Sequence, residues 1–374
     1  MSEFIRLSIS ISAVLWAVLL MLPWKPWRVR ETLEPENPST DHDLTDVTVV
    51  IPARDEAPVI GATLRALAAQ GRNLSVILVD DHSCDGTAQE ALRAIPEGLL
   101  VISGKGLPDG WSGKLWAQQQ GLHHVATPMT LLLDADIELA PGVLGRLLDK
   151  AREENLHLVS LLAAPHLSHF WEKLLMPAFV YFFKVLYPFA LANSKNSKVA
   201  AAAGGCMMME TQVVKAIGGV EGIKGAIIDD CALARTVKSS GYRIWVGLSR
   251  AVSSQRPYYD LPEVWNMVAR TAFTQLRYSV GLLVACTFVM LLLFWAPVLI
   301  LPFAGDDLVQ WAALTALALM LISYLPTLCF YGRNPVWALT MPLAAALYLM
   351  MTWSSAIRYW KGERSRWKGR VYRV

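Results

Sequence analysis

The chain has 374 residues, 54% of them hydrophobic and only 17% charged, with a formal net charge of +3. Ordinary soluble domains carry about 25% charged residues. The composition therefore excludes a disordered chain and an ordinary soluble enzyme. A surplus this small also excludes a protein whose main task is to bind the nucleic-acid backbone.

Residues 7–24 (LSISISAVLWAVLLMLPW) lie uncharged between Arg6 and Lys25. A crossing helix needs about 20 apolar residues, so residues 1–30 are predicted to form a transmembrane anchor. A secretory signal peptide is the alternative, but no small-residue cleavage site follows the run. Trp24 and Trp27 beside Lys25, Arg28 and Arg30 predict an interfacial edge on the cytoplasmic side. Residues 31–46 are acidic and contain Pro35 and Pro38, which reads as a linker.

Residues 47–277 change character. The apolar runs 47–53, 75–79, 99–103 and 129–133 read as buried parallel strands. Between and after them, 58–70, 85–94, 113–125 and a segment starting at Pro141 read as helices. This alternation predicts an α/β domain with a mostly parallel sheet. Residues 170–192 (FWEKLLMPAFVYFFKVLYPFALA) are dense in aromatics. Lys173 and Lys184 leave too few uncharged residues between them for a crossing. An amphipathic interfacial helix is predicted there, with a core helix of the soluble domain as the alternative. His166 and His169 flank it without a third metal ligand and read as loop residues.

Three further uncharged runs, 278–305, 308–332 and 334–357, are each long enough to cross. The tail 358–374 holds Arg358, Lys361, Arg364, Arg366, Lys368, Arg370 and Arg373 against one acid, Glu363. Charge asymmetry places both this tail and the soluble domain in the cytoplasm. Three full crossings between them would separate the two. One run near the short turn 331–335 is therefore predicted to be re-entrant or interfacial.

Ligands of open α/β sheets sit beyond the carboxyl ends of the strands. Three polar clusters fall there: Arg54-Asp55-Glu56, Asp80-Asp81 and Asp134-Ala135-Asp136. Converging carboxylates repel one another unless a cation is present. Mg²⁺ typically takes one or two carboxylates plus substrate phosphates. Asp134 and Asp136, two apart in extended chain, point the same way and can meet one metal. Lys114 either touches a diphosphate or is a solvent-facing lysine at a helix start. The glycine patterns of a P-loop and of a dinucleotide-binding turn are absent. The five cysteines show no metal or disulfide spacing.

The motifs Val50-Ile51-Pro52-Ala53-Arg54-Asp55-Glu56, Val79-Asp80-Asp81-His82-Ser83-Cys84-Asp85-Gly86-Thr87 and Leu133-Asp134-Ala135-Asp136 resemble the successive signatures of family 2 inverting glycosyltransferases with the GT-A fold. The layout of anchor, catalytic domain and apolar C-terminal third is most similar to the bacterial hopanoid-biosynthesis-associated glycosyltransferases. More distantly it resembles ceramide glucosyltransferase, whose basic C-terminal motif the tail 367–373 resembles.

The resemblance implies roles. Pro52, Ala53, Arg54 and Glu56 line the nucleotide pocket. Asp81 contacts the base or ribose, and Asp85 shapes that loop. Lys114 approaches the donor, and Asp134 and Asp136 bind Mg²⁺ or Mn²⁺. Asp230, second of the pair Asp229-Asp230, is the general base, although a helix N-cap pair explains the same residues. Thr274-Gln275-Leu276-Arg277-Tyr278 only partly matches the Gln-x-x-Arg-Trp of processive members, leaving Arg270 and Arg277 as phosphate or acceptor contacts or as a basic membrane face. The implied reaction moves a sugar from a nucleotide diphosphate sugar, a UDP-sugar, to a membrane lipid hydroxyl such as a hopanoid's, in a bacterial inner membrane with the site facing the cytoplasm. The rivals are a processive polysaccharide synthase and a non-catalytic membrane subunit.

Overall fold

All seven residues of β1 (Val47–Ala53) are buried, as expected of a strand covered on both faces. Its one polar side chain, Thr48, meets the Thr127 hydroxyl at 2.7 Å. The computed structural model describes residues 3–36, 42–95, 98–368 and 370–373. The expectations on linker residues 37–41 and on tail residues 369 and 374 lie outside them, as do those on the side chains of 364–367 and 371–373.

The sheet also contains β2 (Ser75–Asp80), β3 (Leu99–Ser103), β4 (Met129–Leu133), β5 (Ile137–Leu139), β6 (Leu158–Ala164), β7 (Cys206–Glu210) and β8 (Ile244–Ser254). Their order is β3-β2-β1-β4-β7-β6-β8-β5. β7 is antiparallel to β4 and β6, and β5 is antiparallel to β8. The other strands share one direction, so the sheet is mostly parallel as expected, with a second half that the four predicted strands did not include. Pro52 lies beyond the last β1–β4 pair, Val50 with Leu132, where a missing N–H costs least.

Side-chain alternation along β1 divides the core. Val49 and Ile51 pack with Ile60 and Leu64 of α2 (Ala57–Ala68) and Leu144 and Leu147 of α5 (Val143–Glu153). Val50 packs on the other face with Leu115 of α4 (Gly113–Leu122), Val213 of α8 (Thr211–Ala216) and Leu233 of α9 (Asp229–Ser239). α3 (Thr87–Ala94) follows β2.

Among the described residues, four helical stretches are long and apolar enough to cross a membrane: α1 (Glu3–Met21), the run Val280–Phe303 that contains α12 (Val280–Met290) and α13 (Ala296–Ile300), α14 (Asp307–Phe330), and Pro335–Trp360, which ends in α15 (Met341–Trp360). Phe4, Leu7, Val14 and Phe288 are exposed, as lipid-facing side chains would be. Arg6 pairs with Asp306 at 2.9 Å, joining the starts of α1 and α14. At its other end α14 reaches the sheet domain, where Phe330 and Tyr331 pack with Val246 and Leu248 of β8.

The region predicted as one interfacial helix is α6 (Phe170–Leu186) and α7 (Phe189–Ala192), interrupted at Tyr187-Pro188. α6 is buried on several sides. Its Glu172 accepts from the backbone N–H of Ser168, His169 and Tyr258 and binds His166, so that histidine is structural. α10 (Leu261–Ala269) and α11 (Ala272–Gln275) lead to α12. α15 touches this layer along its length. Tyr348 donates to the Leu175 carbonyl at 2.8 Å, Ser355 Oγ accepts from Phe273 N–H at 3.1 Å, and Arg358 donates to Asn266 at 2.7 Å. After α15 the hairpin β9 (Glu363–Trp367) and β10 (Arg370–Arg373) folds back onto the sheet.

Candidate active site

The parallel strands end together, and their carboxyl ends border a cavity of about 680 Å³. Pro52, Glu56, Lys114, Asp134, Asp136 and Asp229 line it. Lys114 stands at the start of α4, which Ser112 caps by accepting from Leu115 N–H at 3.4 Å. Its Nζ lies 2.8 Å from Asp134 Oδ1 and 3.5 Å from Asp229 Oδ2. Burial alone would lower the Lys114 pKa, but Asp134 and Asp229 outweigh it and raise it. Lys114 is thus charged and faces the cavity, not solvent.

Asp134 is held above the usual carboxylate range by burial, offset in part by Lys114 and reinforced by the neighbouring Asp136. Asp136 Oδ2 accepts from Arg256 Nε at 2.8 Å, and Arg256 Nη2 reaches both Glu56 oxygens at 2.8 and 3.0 Å. Both aspartates remain at the cavity wall. Among the described residues no group of three or more His, Cys, Asp or Glu side chains could hold a metal. Two carboxylates completed by substrate phosphates are nevertheless a normal donor set for Mg²⁺, and the mutual repulsion that lifts Asp134 is what a divalent ion would relieve. Asp134 and Asp136 therefore fit the cation.

Asp229 and Asp230 open α9. Asp230 Oδ1 accepts from Cys231 N–H at 2.7 Å and Oδ2 from Gly204 N–H at 2.9 Å. Burial, then the charge of Asp229, raises its pKa to about 6. A carboxylate there is ionised at neutral pH yet basic enough to take a proton. A Cβ on Gly204 would lie 3.2 Å from Lys114 Nζ and 3.4 Å from Asp230 Oδ2, so glycine is what lets this backbone close over the pair. Asp229, not Asp230, lines the cavity itself.

The remaining predicted residues divide. Asp85 binds the backbone N–H of Ala57 and Thr87 at 2.9 and 3.1 Å; burial opposes these bonds, which nonetheless hold its carboxyl below the usual range. It ties the loop after β1 to the loop after β2. Ala53 is buried, and its carbonyl accepts from Asp81 N–H at 2.8 Å. Arg54 donates to the Asp81 carbonyl at 2.6 Å. Asp81, 2% exposed, is raised by burial and steadied by Arg370, whose guanidinium meets both its oxygens at 2.6 and 2.9 Å. Lys368 pairs with Glu56 at 2.8 Å and lines the cavity. Arg270 also lines it, whereas Arg277 does not. Arg277 is exposed in a left-handed turn, and the adjacent Tyr278 stacks on Tyr359 with ring centroids 4.4 Å apart.

Three site residues were not picked out by sequence reasoning. Arg256 follows β8 in no motif and carried no signal. Lys368 and Arg370 were marked only as part of a basic tail that resembles the C-terminal motif of ceramide glucosyltransferase, with no site role assigned to them. A second, more open cavity of about 460 Å³ runs along α15, lined by Trp265, Met350, Trp353 and Ile357 with Lys361, and shares Arg358 with the first.

The fold and this constellation define a sugar-nucleotide transferase, and the comparisons give the family. Residues 45–274 match the family model "Glycosyltransferase like family 2". The chain belongs to glycosyltransferase family 2. Among curated proteins, 4,4'-diaponeurosporenoate glycosyltransferase of Staphylococcus aureus (strain USA300) is 36% identical over 92 residues, 24% of this chain and 24% of that protein. The protein of the same name from Staphylococcus haemolyticus is 30% identical over 93 residues, 25% of this chain and 24% of that one. The matches thus span about a quarter of these relatives. A mannosyltransferase from Pyrobaculum calidifontis, solved with GDP-Man and Mn²⁺, superimposes with a TM-score of 0.54 at 18% identity, covering 95% of this chain and 98% of that one. That likeness supports the GT-A fold.

Proposed function

We propose that the chain transfers one sugar, with inversion, from a nucleotide diphosphate sugar to a membrane lipid hydroxyl. The observation that carries this is the adjacency of two cavities: a charged one holding Lys114, Asp134 and Asp136, and an apolar one on α15 that shares Arg358. A polar head can sit in the first while its apolar body lies in the second. The Staphylococcus relatives are named for a lipid acceptor, 4,4'-diaponeurosporenoate. The donor is taken to be a UDP-sugar and the acceptor a hopanoid, both on the sequence resemblance.

The acceptor hydroxyl attacks the anomeric carbon opposite the diphosphate. The new C–O bond forms as the bond to the diphosphate oxygen breaks, and the electron pair leaves with the nucleoside diphosphate. Asp230 takes the hydroxyl proton, and Lys114 and Arg270 face the charge that develops on the leaving group. A Mg²⁺ or Mn²⁺ held by Asp134 and Asp136, when bound, supplies further neutralisation of that diphosphate. The exposed position of Arg277 counts against the processive polymer reading.

The site faces the cytoplasm in this reading. Lys25, Arg28 and Arg30 follow α1, and Lys368 and Arg370 of the tail touch Glu56 and Asp81. The tail and the sheet domain then share one side, so α15 lies along the interface while α1, the 280–303 run and α14 cross. In purified protein with labelled nucleotide sugars, bacterial lipid extract and Mn²⁺, label should enter the organic phase in a species one sugar heavier. Label confined to a long water-soluble polymer would refute the proposal.

A further inference from the structure

The last residues of the chain reach the strand ends at which the donor is proposed to bind. Lys368 Nζ donates to the Asp55 carbonyl at 3.1 Å and pairs with Glu56 at 2.8 Å. The Lys368 carbonyl accepts from Arg54 Nε at 3.3 Å. Two residues on, Arg370 grips both oxygens of the buried Asp81. Each contact falls on a loop that follows β1 or β2. We propose that Lys368 binds the diphosphate of the donor and that Arg370 is the positioning residue that holds it over the cavity. The proposal rests on the nucleotide diphosphate sugar reading above.

Besides Arg270 and Arg358, which also line the cavity, the ion-paired cations there support this assignment by their partners. Lys114 is engaged by Asp134 and Asp229, and Arg256 by Asp136 and Glu56. Lys368 shares Glu56 with Arg256, which already meets both Glu56 oxygens. When Lys368 turns to a phosphate oxygen, Glu56 keeps a bidentate cation and is not left as an uncompensated buried charge. Lys114 and Arg256 are each shared between two acids, so either is freed for a phosphate less readily than Lys368. The lysine also suits the motion: a point charge on a flexible stem can swing, whereas the planar fork of Arg370 fixes Asp81 in one geometry.

Arg370 therefore couples the hairpin to the sheet, and the hairpin continues directly from α15. One short segment joins the donor half of the site to the helix that bears the acceptor groove.

The test is nucleotide binding to the full chain in lipid nanodiscs with Mn²⁺, measured by calorimetry for UDP, GDP, UMP and GMP. In Lys368→Met the affinity for the preferred diphosphate should fall about tenfold or more, the size of one lost charge-assisted hydrogen bond. Affinity for the matching monophosphate should stay within about twofold, since only the second phosphate loses a partner. Lys368→Arg should restore much of the loss. In Arg370→Ala the preference for diphosphate over monophosphate should shrink in the same way, a change that general destabilisation would not produce. Equal diphosphate affinity in Lys368→Met would overturn the proposal. Tighter binding in either variant would also overturn it and make the hairpin a competitor of the donor. Failure of the unmodified protein to bind either diphosphate would instead overturn the donor reading on which the proposal rests.

Discussion

Lys114 and Asp134 lie 2.8 Å apart at the junction of α4 and β4, and the rest of the charged cavity is arranged around this pair. The lysine also neutralises Asp229 at 3.5 Å, so one ammonium serves the proposed metal side and the proposed base side together.

Replacing Lys114 with Met should therefore harm both activity and stability. Removing one partner of a buried pair typically costs about 3–5 kcal/mol; with 19% of the lysine and 30% of the aspartate side chain exposed, solvent and protonation of Asp134 should bring the loss below that range. Turnover should fall by about two orders of magnitude or more, with a clear drop in melting temperature. A Lys114→Met protein with unchanged turnover would show that the ion pair is incidental.

The pH profile reports on Asp230. Its pKa is raised to about 6 by burial and by Asp229, so kcat/KM should rise as pH increases through about 6 and level off above it. Asp230→Asn should lose the activity and Asp229→Asn should keep more of it. The raised pKa also means the folded state binds more protons than the unfolded chain between about pH 4 and 6. This residue's stabilising share is present at low pH and lost as pH rises through that window. An activity profile flat from pH 5 to 8 would assign the proton transfer elsewhere.

Chelation should abolish transfer, and Mn²⁺ or Mg²⁺ should restore it. Asp134→Asn and Asp136→Asn should lower activity about 100-fold or more and should make UDP binding insensitive to added Mn²⁺. Transfer that survives excess EDTA would remove the metal from the account.

A reporter fused after Val374 should be active only as a cytoplasmic fusion. Lys368 and Arg370 contact the sheet domain, so an even number of crossings must separate that domain from the tail. Periplasmic activity of the fusion would mean that α15 crosses and that the tail contacts do not form in the membrane.

Much of the donor side was legible because its residues are local to strand ends. Pro52 lies within an apolar run that announces its strand, Glu56, Asp134 and Asp136 follow such runs, and Lys114 lies just after a capping serine. The conflict between the charged tail and three apolar runs was also legible, and the packing of α15 on α6, α10 and α11 supports the proposal that this run lies along the interface. What was not legible depends on distant pairs. Arg256 meets Asp136 and Glu56 across 120 and 200 residues, and Arg370 meets Asp81 across 289. No periodicity or motif encodes such separations. The antiparallel β7, CMMME, is short, and it becomes a strand by pairing with β4 and β6. Arg277 matched part of a motif, but it is exposed and does not line the cavity.

The most direct test is the structure of the product made by purified enzyme in nanodiscs from an α-linked UDP-sugar and bacterial lipids. Mass spectrometry and NMR should find a lipid carrying a single sugar in β linkage. An α-linked product, or a chain of many sugars, would contradict the account.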